Sequence, residues 1–132
     1  YEPSNNRSQL TETQHNHLIV DAYNANPTSM AAALRNFRDM QVEPKMAILG
    51  DMRELGESSE EEHQKVVDFL AEAGLTNTWL VGEAFGKTNT SLRKFADIDE
   101  VKAAIADNQP QGYYILIKGS NGIKLYQLSE ML

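Results

Sequence analysis

The chain has 132 residues, 41% of them hydrophobic, and carries 12 basic against 19 acidic side chains for a net charge of −7. That length and apolar fraction support one compact domain with a real core, since folding at this size removes roughly two-thirds of the unfolded surface from water. The acidic balance argues against phosphate-driven nucleic-acid binding, and the lack of cysteine excludes a disulfide frame and thiolate metal sites while permitting a reducing compartment.

The chain starts at Tyr1 rather than Met, as expected of a fragment or a processed protein, and shows no signal-peptide pattern. No apolar run nears the ~18 residues of a spanning helix. Residues 1–8 are polar, with Arg7 their only base, and are expected to form a linker. Residues 9–13 are predicted as an edge strand, and His15, Asn16 and His17 as a hairpin turn. Residues 18–21 are apolar on consecutive positions up to Asp21, as in a parallel strand covered on both faces. Pro27 biases Asn26 away from helical geometry, so the next helix is expected after it, capped by Thr28 or Ser29. Met30, Ala33, Leu34 and Phe37 then recur at three- and four-residue spacing and predict a helix over 29–40.

Residues 45–49 predict a second buried strand, and 50–56 a loop between two glycines. A helix is predicted over 57–73, opened by Ser58 or Ser59, with Glu60, Glu61 and Glu62 complementing its positive end. Its buried face is Val66, Val67, Leu70 and Ala73, and Gly74 suits the residue after its last turn. Residues 78–81 are a third strand ending at Gly82, 83–91 a loop with room for a helical turn, and 92–95 a short strand. Asp97 or Asp99 caps a helix through about Ala106, with Ile98, Val101 and Ile105 inside. After a turn at 108–112, residues 113–117 are the last strong strand, and 123–132 predict a closing helix or strand start.

Strands alternating with helices predict an α/β, Rossmann-like, mostly parallel sheet flanked by helices on both faces. Polar loops follow three strands, at Asp21, Asp51 and Lys118, and in a parallel sheet such loops share one edge. Asp21 suits a ribose hydroxyl or a cation, or a bond within its own turn. Asn24 and Asn26 suit turns as well as ligands, and Tyr23 can simply pack with its hydroxyl outward. Between Asp51, Arg53 and Glu54 an ion pair would contribute at most ~1 kcal/mol, but the flanking glycines point to tight backbone geometry. Lys118-Gly119-Ser120 with Gly122 resembles a loop that grips phosphate or carboxylate, although no P-loop order of Gly-x-x-x-x-Gly-Lys-Ser/Thr occurs anywhere in the chain. His63 lies on the apolar stripe of its helix and reads as a hydrogen-bonded core or interface residue. His15 and His17 lack a third ligand, so no metal site is predicted, and no catalytic triad or acid/base carboxylate pair is found.

Four motifs together resemble a known family. Asp21-Ala22-Tyr23-Asn24-Ala25-Asn26-Pro27-Thr28-Ser29-Met30 resembles the signature opening the C-terminal domain of the Mur ligases, the ATP-dependent amide-bond ligases of peptidoglycan precursor synthesis. Asn6-Arg7-Ser8-Gln9, Ile48-Leu49-Gly50-Asp51-Met52-Arg53-Glu54-Leu55-Gly56 and Leu116-Ile117-Lys118-Gly119-Ser120 resemble the branch that adds D-alanyl-D-alanine to UDP-N-acetylmuramoyl-tripeptide. The resemblance implies that residues 1–132 are the third domain of a cytoplasmic three-domain enzyme, after a UDP-sugar domain and a central domain holding the P-loop, Mg2+ and most of the chemistry. It places Arg7 and Asp21 against ATP, the aspartate by the ribose, with Tyr23, Asn24 and Asn26 along the nucleotide. Asp51, Arg53, Glu54, Lys118 and Ser120 would face the dipeptide. No catalytic residue is expected in this fragment, which alone should be inactive. Asn6 stands where the family commonly has Gly, and Asn121 where it often has Arg.

One alternative comes from another class, a stand-alone phosphoacceptor signalling domain using Asp51 and Lys118. Against it, a single aspartate follows the strand where a magnesium pocket wants a pair, and Gly, not Pro, follows Lys118. A related domain from a folate or other peptide-bond ligase is a third option.

Overall fold

A computed structural model describes residues 9–13, 15–21, 26–52, 55–119 and 125–132. Its elements in chain order are β1 (Gln9–Glu12), β2 (His17–Asp21), α1 (Pro27–Asp39), β3 (Lys45–Gly50), α2 (Ser59–Ala73), β4 (Thr78–Val81), α3 (Glu83–Gly86), β5 (Arg93–Phe95), α4 (Ile98–Asp107) and β6 (Tyr114–Lys118). A 3-10 turn, Gly56–Ser58, precedes α2, and a 3-10 segment, Leu125–Glu130, follows β6.

The six strands form one sheet in the order β1-β2-β6-β3-β4-β5. All neighbours run parallel except β1, which pairs antiparallel with β2 at the edge, Gln9 opposite Val20 and Glu12 opposite His17. The predicted edge strand, the parallel sheet and the helical cover of both faces are therefore all present.

The consecutive apolar runs reflect burial on two sides. Ile19, Ala47, Leu49, Leu80 and Leu116 pack with Met30, Leu34 and Phe37 of α1, Val67 and Leu70 of α2 and Phe85 of α3. Their alternates, Leu18, Met46, Ile48, Val81, Ile115 and Ile117, pack with Val101 and Ile105 of α4 and with Leu125, Leu128 and Leu132. This period-two division of each strand between two cores is the pattern that a doubly covered parallel sheet requires.

Three helical elements differ from expectation, and among the strands His17, expected in the hairpin turn, is the first residue of β2. Helix α1 starts at Pro27 and is capped by Asn26, not by Thr28 or Ser29. Proline's missing N–H is among the groups a first helical turn leaves unpaired anyway, and the extended geometry that it imposes on Asn26 is what an N-cap needs. Asn26 Oδ1 accepts from Ser29 N at 2.8 Å, and Asn26 N donates to Ser29 Oγ at 3.1 Å, so Ser29 completes a capping box from inside the helix. Helix α2 begins at Ser59, and Ser58 makes no side-chain cap bond because the preceding 3-10 turn leaves it in helical geometry (φ −82°, ψ −4°). The closing element is 3-10, not α. Leu125 and Leu128, three apart and both buried, fall on one side at three residues per turn. Ala73 is half-buried, at the margin of the α2 stripe. The remaining predicted helix ends hold: Asp97 caps α4 by accepting from Glu100 N, and Gly74 ends α2 in left-handed geometry.

Candidate functional site

The ends of the three strands that lead into the polar loops share one edge. Strand β6 lies between β2 and β3, and its Lys118 is in register with Asp21 on one side and Leu49 on the other. At 4.7–4.9 Å per strand spacing, the ends of β2, β6 and β3 fall within roughly 10 Å of one another. Strands β2 and β3 continue into helices on one face, while β6 continues into the segment packed on the other. The sheet thus changes direction on both sides of β6, and such switch points open a crevice at the carboxyl ends of parallel strands.

Gly119 sits in that crevice. A Cβ there would lie 2.9 Å from Gly50 Cα, 3.0 Å from Gly50 N and 2.9 Å from Leu125 Cδ1. The two motif glycines, one after β6 and one ending β3, therefore let two strand ends approach backbone to backbone. Lys118 is 1% exposed. Its ammonium must be held by protein groups, because an unpaired buried charge costs several kcal/mol.

Asp51 extends the row to β4. Its backbone N–H donates to Val81 O at 3.1 Å, prolonging the β3–β4 ladder. Its carboxylate accepts from Ala84 N through Oδ2 and from Phe85 N through Oδ1, both at 3.0 Å, and so caps the first turn of α3. Gly82 makes room for it: at φ +121° its missing Cβ would lie 2.3–2.5 Å from the three carboxylate atoms. On the other side stands His63, fully buried in α2. Its Nε2 accepts from Met52 N at 2.9 Å, and its Nδ1 lies 2.6 Å from Ser59 O. The hydrogen-bond pattern assigns the neutral tautomer with the proton on Nδ1. The 4.0 Å approach of Nε2 to Asp51 Oδ1 is thus not an ion pair. The ring meets Phe85 edge-on at 4.7 Å. His63 is the hydrogen-bonded core histidine that its place on the stripe predicts.

An open cleft of about 550 Å³ lies beside Asp51, lined by Gly56, Glu57, Ser59, Glu60, Glu83, Ala84 and Lys87. Four acidic side chains against one lysine make it a cation-favouring recess.

Of the other predicted site residues, Asn26 is half-buried at the start of α1, its Oδ1 occupied by the cap. Asp21 is the last residue of β2. Arg7, Tyr23, Asn24, Arg53, Glu54 and Ser120 lie outside the described residues. Among the described residues no three of His, Asp or Glu are grouped so as to hold a metal ion. No helix among them is long and apolar enough to cross a membrane.

Sequence reasoning missed the second role of Asn16, which it placed in a turn. Asn16 is 3% exposed. Its Nδ2 donates to Pro110 O and Leu132 O, both at 2.9 Å, and its Oδ1 accepts from Tyr113 N at 3.0 Å. It ties the hairpin, the α4–β6 connection and the last residue together at the sheet edge opposite the crevice. The partners are 94 to 116 residues away, so no local pattern signals them.

Comparison with known proteins points one way. Residues 6–121 match the family model described as Mur ligase, glutamate ligase domain. The UDP-N-acetylmuramoyl-tripeptide–D-alanyl-D-alanine ligase of Rickettsia prowazekii (strain Madrid E) is 35% identical over 94% of this chain and 29% of its own length. The enzyme of that name from Escherichia coli (strain K12) is 34% identical over 94% of this chain and 28% of its own. A crystal structure of MurF from Acinetobacter baumannii superposes with a TM-score of 0.81 at 32% identity, covering 98% of this chain and 30% of that one. A MurF ligase from Thermotoga maritima in complex with ADP shares the fold at a TM-score of 0.80 and 22% identity, covering 99% and 31%. The chain thus spans about three-tenths of the length of the curated relatives it matches.

Proposed function

Since the chain belongs to the Mur ligase family by its glutamate ligase domain, we propose that it is the C-terminal domain of an ATP-dependent ligase joining D-alanyl-D-alanine to UDP-N-acetylmuramoyl-tripeptide in the cytoplasm. The observation that carries this reading is the convergence of the Asp21, Asp51 and Lys118 strand ends in a chain whose relatives bear that name. An amino-terminal domain would hold the UDP-sugar, and a central domain the P-loop and Mg2+. Residues 1–8 would serve as the linker from the central domain.

In this reading ATP phosphorylates the tripeptide carboxylate. The dipeptide amine attacks the resulting acyl phosphate, and the tetrahedral intermediate expels phosphate. This domain supplies binding and enclosure. Asp21 accepts from the ribose hydroxyls, and Arg7 brings paired donors to phosphate charge. Tyr23, Asn24 and Asn26 line the nucleotide at the start of α1, where the helix end favours anions. The Gly50–Gly56 loop with Ser120 would face the dipeptide, whose ammonium suits the acidic recess beside Asp51, and Lys118, buried and held by protein groups, would support that face from within. Closure over the central domain would exclude water from a hydrolysable intermediate.

The phosphoacceptor alternative fits poorly. Both oxygens of Asp51 cap α3, so a phosphoryl group there would displace a charge-assisted bond. The test is to incubate the full-length protein with ATP, Mg2+, UDP-N-acetylmuramoyl-tripeptide and D-alanyl-D-alanine, and to follow product by mass spectrometry. Dipeptide-dependent ADP release with the matching product supports the reading. Release without product, or transfer of phosphate to Asp51, overturns it.

A further inference from the structure

A cleft of about 540 Å³ opens at the amino ends of the strands, the edge opposite Asp21 and Lys118. Asn77 and Tyr113 immediately precede β4 and β6 there, and Arg93 opens β5. Trp79 and Tyr113 are half-buried in its lining, and the side chains of Asn77, Asn108 and Gln111 stand exposed around them. No acidic residue lines it. Its volume suits a small molecule. Arg93 is the one charge it holds. Trp79 and Arg93 are register partners on adjacent parallel strands, and Phe95 follows two residues on, so all three share the α4 face of the sheet. The guanidinium carbon lies 5.4 Å from the Trp79 ring centroid and 4.8 Å from that of Phe95. Among the described residues no carboxylate pairs with it, and no hydrogen bond occupies its N–H groups. Stacking engages the face of a guanidinium and leaves its edge of N–H donors open. A side chain already held by two rings loses less freedom when a ligand arrives. In a chain of net charge −7, an unpaired cation over an acid-free cleft draws in an anion that the rest of the surface repels. The three amides each donate and accept, as hydroxyl groups require, and a half-exposed aromatic ring offers an apolar bed to a sugar ring.

We propose that this cleft binds a small anionic sugar: Arg93 receives its carboxylate or phosphate through paired N–H bonds, Trp79 and Tyr113 carry the ring, and Asn77, Asn108 and Gln111 take the hydroxyls. The inference goes beyond the ligase reading and does not rest on it, since every group that carries it lies at the amino ends of the strands.

The full-length protein labelled with 15N-tryptophan reads the site directly, the Trp79 indole N–H signal being assigned by its loss in Trp79→Phe. Titrated with D-glucuronate and with D-glucose 6-phosphate, that signal should move saturably for at least one of them, with a Kd of about 5 mM or tighter. Which of the two binds tells whether the anion taken is carboxylate or phosphate. D-glucose, which lacks the anion, should leave the signal in place to about 50 mM. Arg93→Gln drops the charge and the fork and should weaken binding at least about tenfold, while Arg93→Lys keeps the charge without the planar stack and should weaken it at least about threefold. In the wild type, raising NaCl from about 0.05 M to about 0.5 M should weaken binding at least about threefold. The proposal is overturned if neither anion moves the signal saturably, if D-glucose moves it equally, if R93Q binds as the wild type does, or if wild-type affinity ignores salt.

Discussion

The contact between Gly82 and Asp51 gives a coupling that can be worked out in advance. In Asp51→Ala the N–H groups of Ala84 and Phe85 lose a charged acceptor, two bonds of 3.0 Å. At about 1.5 kcal/mol each, the variant should lose about 3 kcal/mol. In Gly82→Ala the backbone, at φ +121° and ψ 169°, enters a region essentially reserved for glycine, costing about 2 kcal/mol. The new Cβ would also fall 2.3–2.5 Å from the carboxylate and expel it, forfeiting the same two bonds for a total of about 5 kcal/mol. In the double variant the carboxylate is already gone, so only the backbone strain adds, and the loss should again be about 5 kcal/mol, not the sum of about 8. Urea and thermal unfolding of the three variants and the wild type give the coupling directly, with midpoint shifts of about 10–20 °C expected for the larger losses. Additivity to within about 0.5 kcal/mol would show that the carboxylate does not occupy the space under Gly82, and would refute the capping geometry.

Other consequences are simpler. Gly119→Ala must push Gly50 or Leu125 aside; a loss of about 1–3 kcal/mol by urea unfolding is expected, and none would mean that the two strand ends do not meet. Asn16→Ala strips partners from Pro110 O, Leu132 O and Tyr113 N in a buried site. It should lower stability by about 2–4 kcal/mol, and a change under about 0.5 kcal/mol would count against the latch. The Asp39 carboxyl is held below its ordinary value by the hydrogen bond and charge of Arg38. Its small contribution is therefore present above the unfolded-state value and lost as acid protonates it in the folded chain. Arg38→Ala should move the Asp39 titration upward by NMR; an unmoved titration would dissolve the pair.

Much of this was legible in the residues because the signals are local. The two-sided burial of β2, β3 and β6 shows as unbroken apolar runs, and all four predicted stripe residues of α1 are buried. Convergence of the strand ends that lead into the polar loops followed from parallel topology alone. The cap of α1 was misread because Pro27 looked like a barrier, whereas at the first helical position it is compatible with the turn. The closing segment was misread because Leu125, Leu128 and Leu132 satisfy both a three- and a four-residue rhythm. The roles of Asp51 and Asn16 were not legible for another reason. Asp51 bonds residues 33 and 34 positions away, and Asn16 reaches across 94 to 116. Only the folded sheet brings those groups together. The Asp51 loop resembled a ligand loop by motif, and the structure shows that its first carboxylate also caps α3.

The claim that the crevice beside β6 is the nucleotide half-site of a ligase rests most directly on Asp21, at the end of β2 and in register with Lys118. Steady-state kinetics of the full-length enzyme with Asp21→Ala test it. The account predicts an ATP KM raised at least about tenfold, with the dipeptide KM within about threefold of wild type. An unchanged ATP KM would contradict it.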